Sequence, residues 1–260
     1  MSKFFTVDVL PDCINGDVSD NNGTADVGAG DIVFDWTAVD VPKGSCLLRS
    51  ITAFVNGEDG AIAGSTVDYE LLLAKSKGGI APPSLGTINA AITSIASRNQ
   101  IIGGIRLEGG AGLGTLSKTV FGVVYQQGVN GGADTNIGPN IVIDLEPESG
   151  TSVGYDTLYV AGVHVGARNY GTGVLLNLSG DLDASAAPAT SYIVDGVDAT
   201  KIFSVGDAVY VTSSDVSIGN VTAVSALLLT LDTTNSTIDI ADDEEFLNAN
   251  PIRIKLGFEL

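Results

Sequence analysis

From residue 31 to 75 the chain alternates apolar and polar positions with the two-residue period of half-buried strands. Ile32, Phe34 and Trp36 fall on one face, and Asp31, Val33 and Asp35 on the other. Residues 41–44 read as a turn, 48–55 as the next strand, 56–60 as its turn, and 67–75 as a third strand that stops before Gly78 and Gly79. The rhythm changes at 87–102, where Ile88, Ile92, Ile95, Ala96 and Ile102 recur at helical spacing. Thr87 suits an N-cap and Gly103 with Gly104 a left-handed close, so the pattern predicts one helix covering a sheet edge or one end of a sandwich. Strands resume at 120–125, 141–145, 157–165 and 175–178, with a glycine-rich tract over 128–138.

After residue 190 the apolar runs shorten. Those at 202–203, 209–211, 221–224, 227–231, 238–240 and 252–258 are separated by tight polar turns, among them Gly206-Asp207 and Gly219-Asn220. The resulting expectation is an all-β chain: an N-terminal arm (1–30), a jelly-roll-like β-sandwich with one inserted helix (31–180), a linker (181–190) rich in Ala, Ser and Asp, and a small SH3-like β-barrel (191–260). The arm is expected to order on a neighbouring molecule.

Composition narrows the partners. The 260 residues hold 31 acidic against 12 basic side chains, for a formal charge of -19. Both parts are acidic: 20 acids and 9 bases precede residue 186, and 11 and 3 follow it. Nucleic acid and anionic lipid both need a clustered positive surface, so neither is an expected partner. Lys75 and Lys77 are the nearest approach to a basic cluster and read as solubility devices on an edge strand. Mean hydropathy is +0.30, yet the apolar residues are dispersed in short runs, none of which spans a bilayer as a helix. The first residues reach Asp8 and Asp12 before any apolar segment of signal length, so classical export is not expected. The Asn-x-Ser/Thr triplets at Asn22, Asn177, Asn220 and Asn235 then carry no glycan. Cys13 and Cys46 are expected as reduced, buried thiols.

No residue set announces a reaction. His164, the one histidine, lies in an alternating strand and reads as a core or surface residue rather than a base, and one histidine with two distant cysteines excludes a zinc site. Asp144 with Glu146, and Asp31 with Asp35 and Asp40, share strand faces as glycosidase acids do. Aromatics make up only 6% of the chain, too few for sugar-binding platforms, so these acids read as solvated strand faces. Calcium is the best-suited ion, through Asp12, Asn15, Asp17, Asp20, Asn21, Asn22, Asp26 and Asp31, or through Asp242, Asp243, Glu244 and Glu245. Neither stretch has EF-hand spacing, and an acidic loop is the preferred reading. The run 109–114, GGAGLG, lacks the Lys-Ser/Thr of a phosphate loop. No catalytic, cofactor-binding or metal residue is therefore assigned.

In its stretches "DIVFDWTAVDVPKGS", "YDTLYVAGVHVG" and "VGDAVYV", and in being poor in Lys and His but rich in Gly, Ala, Thr, Val and Asp, the chain resembles virion proteins of tailed bacteriophages. It is most similar to head decoration, or cement, proteins of marine phages. The resemblance implies a non-enzymatic capsid protein assembled in the host cytoplasm and carried on the capsid exterior. It also implies a homotrimer that binds the major capsid protein across subunit seams. A tail or fibre adhesion module that engages host carbohydrate is the alternative.

Overall fold

Ile252, Ile254, Leu256 and Phe258 are buried while Arg253, Lys255, Gly257 and Glu259 turn outward, so one sequence segment writes both faces of a sheet. The computed structural model describes residues 3–14, 28–41, 44–55, 69–94, 96–107, 123–126, 141–145, 157–165, 174–176, 189–196, 198–212, 214–235 and 240–260. They form β1 (Phe4–Val9), β2 (Ile32–Asp40), β3 (Gly44–Val55), β4 (Tyr69–Lys75), β5 (Ile101–Leu107), β6 (Val123–Gln126), β7 (Ile141–Leu145) and β8 (Thr157–His164). Then come β9 (Val174–Leu176), β10 (Ala189–Asp195), β11 (Ala208–Val211), β12 (Ser214–Ser225), β13 (Leu228–Asn235), β14 (Glu245–Asn248) and β15 (Ile252–Glu259). All named strand pairs are antiparallel, and the chain is all-β as expected.

Two sheets face each other. One runs β1-β15-β3-β6, with β7 pairing the first half of β3 where β6 pairs the second. The other runs β2-β8-β4-β5. Val9, Leu48, Ile51, Ile254, Leu256 and Phe258 of the first pack on Val33, Phe34, Leu71, Leu73, Leu107, Leu158 and Val160 of the second. The remaining strands close a six-stranded barrel, β10-β13-β12-β11-β14-β9, around Tyr192, Val194, Phe203, Val209, Val211, Leu229, Leu231 and Phe246.

This arrangement corrects several expectations. Residues 252–258 were assigned to the barrel, but β15 is inserted between β1 and β3, pairing along its whole length with β3. Its alternation specifies a half-buried strand without specifying which sheet; pairing with β1 and β3 places its apolar face in the sandwich core. Conversely, β9 was assigned to the sandwich and closes the barrel by pairing β10 and β14. The assigned arm does not hold over 4–14: β1 pairs with β15, and the Cys13 N–H donates to the Ala249 carbonyl at 2.8 Å. Residues 189–190 of the assigned linker begin β10. Residues 15–27 and 181–188 lie outside the described residues.

The helix at 87–102 is also corrected. Its only described helical piece is a 3-10 turn, Ala96–Asn99, and Gly103 and Gly104 lie inside β5. The isoleucines and threonines of this stretch are weak helix formers. Asn89 sits at a left-handed φ of 58°, and the backbone bonds the edge of β2 instead: Ile32 N–H donates to the Ala90 carbonyl, and Asn89 N–H to that of Ile32. Burial of Ile88 against Ile32, Leu85 and Ala161 completes this cover on the sheet end.

Strict alternation fails in β2, where Ile32, Val33 and Phe34 are all buried because the register against β8 shifts twice, before Phe34 and before Thr37. The bulge aims Phe34 at Gly162 on β8, where an added Cβ would lie 2.3 Å from the ring. Gly162→Ala therefore overpacks the core, and urea denaturation is expected to show a loss of about 1–2 kcal/mol. Lys75 is not on an edge either, since β4 lies between β8 and β5. Gly219, expected in a turn, sits within β12 beside a register shift at φ 138°.

Candidate functional site

A cluster of polar side chains lies where barrel and sandwich meet, at the Asn248–Ala249–Asn250–Pro251 passage from β14 to β15. Asp207 follows the Val205–Gly206 turn, whose glycine takes φ 95°, and is fully buried. Its Oδ2 accepts from the Ser204 backbone N–H at 2.8 Å and from Asn248 Nδ2 at 2.9 Å. Its Oδ1 accepts from Arg253 Nη2, on β15 of the sandwich, at 2.6 Å. Arg253 Nη2 also donates to the Val205 carbonyl, and Asn248 Nδ2 to that of Ile202. Three segments of chain thus converge on one carboxylate.

A second layer ties in the chain leaving β1. Asn250 accepts from Ala208 N–H through Oδ1 at 2.7 Å and donates through Nδ2 to the Pro11 carbonyl at 2.8 Å. Tyr210 Oη donates to Asp12 Oδ2 at 3.4 Å, and Asp12 Oδ1 accepts from Ile14 N–H. Ile14 packs on Tyr210, Leu247 and Ala249. Beside these groups opens a cleft of about 260 Å3 whose lining includes Leu10, Phe54, Ser204, Pro251, Arg253 and Lys255. Lys255 reaches across its rim to Asp8 at 2.6 Å.

Burial pushes the Asp207 carboxyl above the ordinary aspartate range, while Arg253, the Ser204 N–H and Asn248 pull it back. Burial likewise raises the Tyr210 hydroxyl, with Asp12 adding to it, and raises the Cys13 thiol strongly, again with Asp12 adding. A general base needs a lone pair directed at a substrate. Both Asp207 oxygens accept from donors of the protein itself, and these bonds fasten the Ser204–Asp207 turn to Asn248 and to β15.

The sequence candidates are dispersed. His164 is buried at the end of β8, edge-on to Tyr69 with ring centroids 4.7 Å apart, and its backbone bonds Gly30 and Asp31. Asp31 accepts from Gly28 N–H and Asp35 from Leu85 N–H, so both carboxylates hold loops onto β2. Asp40 is exposed at the strand end. Asp144 stands opposite Ser45 in the β3–β7 ladder, and Glu146 lies outside the described residues. Of the first calcium stretch, Asp12 and Asp31 are described and each closes a local turn; 15–26 is not described. In the second, Glu244 accepts from Ala241 N–H, and Asp243 turns the chain at φ 64°. Among the described residues no three His, Cys, Asp or Glu side chains gather to hold a metal ion. GGAGLG lies outside the described residues. Cys13 and Cys46 form no disulfide and are buried, as expected.

Sequence reading missed Asp207, Asn248, Asn250 and Arg253. One signal was present: Arg253 is one of three basic residues after position 185, and "NANP" places two amides directly before a strand.

No protein-family model matches the chain, and no curated protein or solved structure was found to be similar to it.

Proposed function

We propose that this chain is a non-enzymatic virion structural protein, a decoration or cement protein that binds the major capsid protein on the exterior of a phage head. In this reading it assembles in the host cytoplasm, works as a homotrimer, and takes neither nucleic acid nor membrane as partner. The observation that carries it is strand order. With β6 and β7 sharing one place beside β3, the eight sandwich positions in chain order read first-eighth-third-sixth in one sheet and second-seventh-fourth-fifth in the other. We read this order as the double Greek key of a jelly roll, an architecture used by viral capsid proteins. The barrel, read as SH3-like, is an insertion between the last two of these strands.

The junction supports the same reading. A protein that braces a shell gains from two bodies held in fixed relation, and the Asp207 cluster supplies that fastening. The charge of -19 suits an outer surface facing solvent and away from packaged nucleic acid. Purified protein is expected to co-sediment with expanded, emptied heads and to raise their melting temperature in calorimetry. Heads that neither retain the protein nor melt higher would overturn the assignment. Jelly rolls also serve as lectin domains, which favours the adhesion module as second reading; binding to host-surface glycans with block of adsorption, in place of head binding, would establish it.

A further inference from the structure

Among the described residues no strand lies along the outer edge of β1. The Leu260 N–H donates to the Lys3 carbonyl at 2.9 Å, so these two residues form a hydrogen-bonded pair of the β1–β15 ladder. Bonded pairs alternate in an antiparallel ladder. Phe5, Val7 and Val9 therefore turn their backbone groups toward β15, and Phe4, Thr6 and Asp8 turn N–H and C=O away from it.

Edges left open in this way are normally defended by prolines, bulges or charges. β1 has no proline and no register shift, and its one charged residue, Asp8, is engaged by Lys255. β2, an edge of the opposite sheet, carries two register shifts and is bonded at its start by Asn89 and Ala90. Phe4 on the open edge is 72% exposed, and Phe5 and Val7 are only partly covered where they meet the core.

We propose that β1 is a homotypic docking edge, pairing antiparallel with β1 of a second copy of this chain about a two-fold axis at Thr6. This centre alone pairs all three outward residues within the strand: Thr6 faces the partner's Thr6, and Phe4 faces the partner's Asp8. The register keeps the two Asp8 carboxylates apart, whereas a centre at Asp8 would oppose them. On the inner side it sets Phe5 opposite the partner's Val7, an aromatic against a β-branched residue, which extends the row begun by Phe5 stacked on Phe258. Two sheets become one continuous sheet. The proposal goes beyond the decoration reading and concerns the free protein, so either can fail without the other; in a trimer the same edge links one trimer to the next.

Thr6→Cys tests it on the full chain. Facing residues of a bonded pair have Cα atoms about 5.5 Å apart, within reach of a disulfide. Mild oxidation is expected to give a covalent pair at twice the 26.5 kDa of the chain, about tenfold or more faster than a control cysteine at exposed Ala223. Thr6→Lys puts like charges face to face without touching the bonds to β15. It is expected to lower the sedimenting mass while the circular dichroism of the fold is retained. Equal cross-linking from both cysteines, or an unchanged mass for Thr6→Lys, overturns the proposal.

Discussion

Phe258→Ala is expected to cost about 3–5 kcal/mol, read as a lower urea midpoint at unchanged slope. Phe258 is fully buried on β15, stacks on Phe5 at a centroid distance of 5.0 Å, and packs in the core shared by both sheets. Truncation there leaves a cavity in the middle of a sheet, flanked by β1 and β3, which ladder bonds hold in place and which have little freedom to collapse into it. A cost below about 1 kcal/mol would mean that β15 does not occupy this central position.

Asp207→Ala is expected to cost about 3 kcal/mol. The substitution strands the Ser204 N–H and one Asn248 donor in a buried site and removes the partner of Arg253. The value sits at the low end for a broken buried pair because the Arg253 side chain is 37% exposed and water recovers part of its charge. Acid dependence gives a second readout. The folded protein binds the Asp207 proton more tightly than the unfolded chain does, because burial raises this carboxyl. Its contribution is then fully present below the unfolded pKa and is lost as pH rises through the folded one. Asp207→Asn, which cannot titrate, should lack that decline in the window extending upward from about pH 4. Parallel curves of stability against pH for the two proteins would refute this assignment of the burial effect.

Local signals made most strands legible. β3, β4, β7, β8 and β11 fall where alternation and turn residues place them, because side-chain direction in a strand is a two-residue property. What alternation cannot express is the partner: β15 and β9 each lie in the sheet opposite to the one expected, since pairing joins residues at great sequence distance. The isoleucines at 88 and 92 were equally ambiguous. Helical spacing placed both on one face, yet only Ile88 is buried and Ile92 is 39% exposed. The junction was the least legible part, because Asp207, Asn248 and Arg253 are ordinary turn and strand residues until the fold gathers them.

The insertion of the barrel bears on how the chain reaches this state. Pairing β1 with β15 joins Phe4 to Glu259, one of the most distant closures the polypeptide permits, and such closures are entropically slow. Once folded, however, the barrel brings Leu175 opposite Glu245, which short-circuits some seventy intervening residues and leaves β15 only a brief tether from β8. A pulse of hydrogen exchange during refolding should find barrel amides protected before those of β15, as befits a module that assembles early and delivers the closing strand.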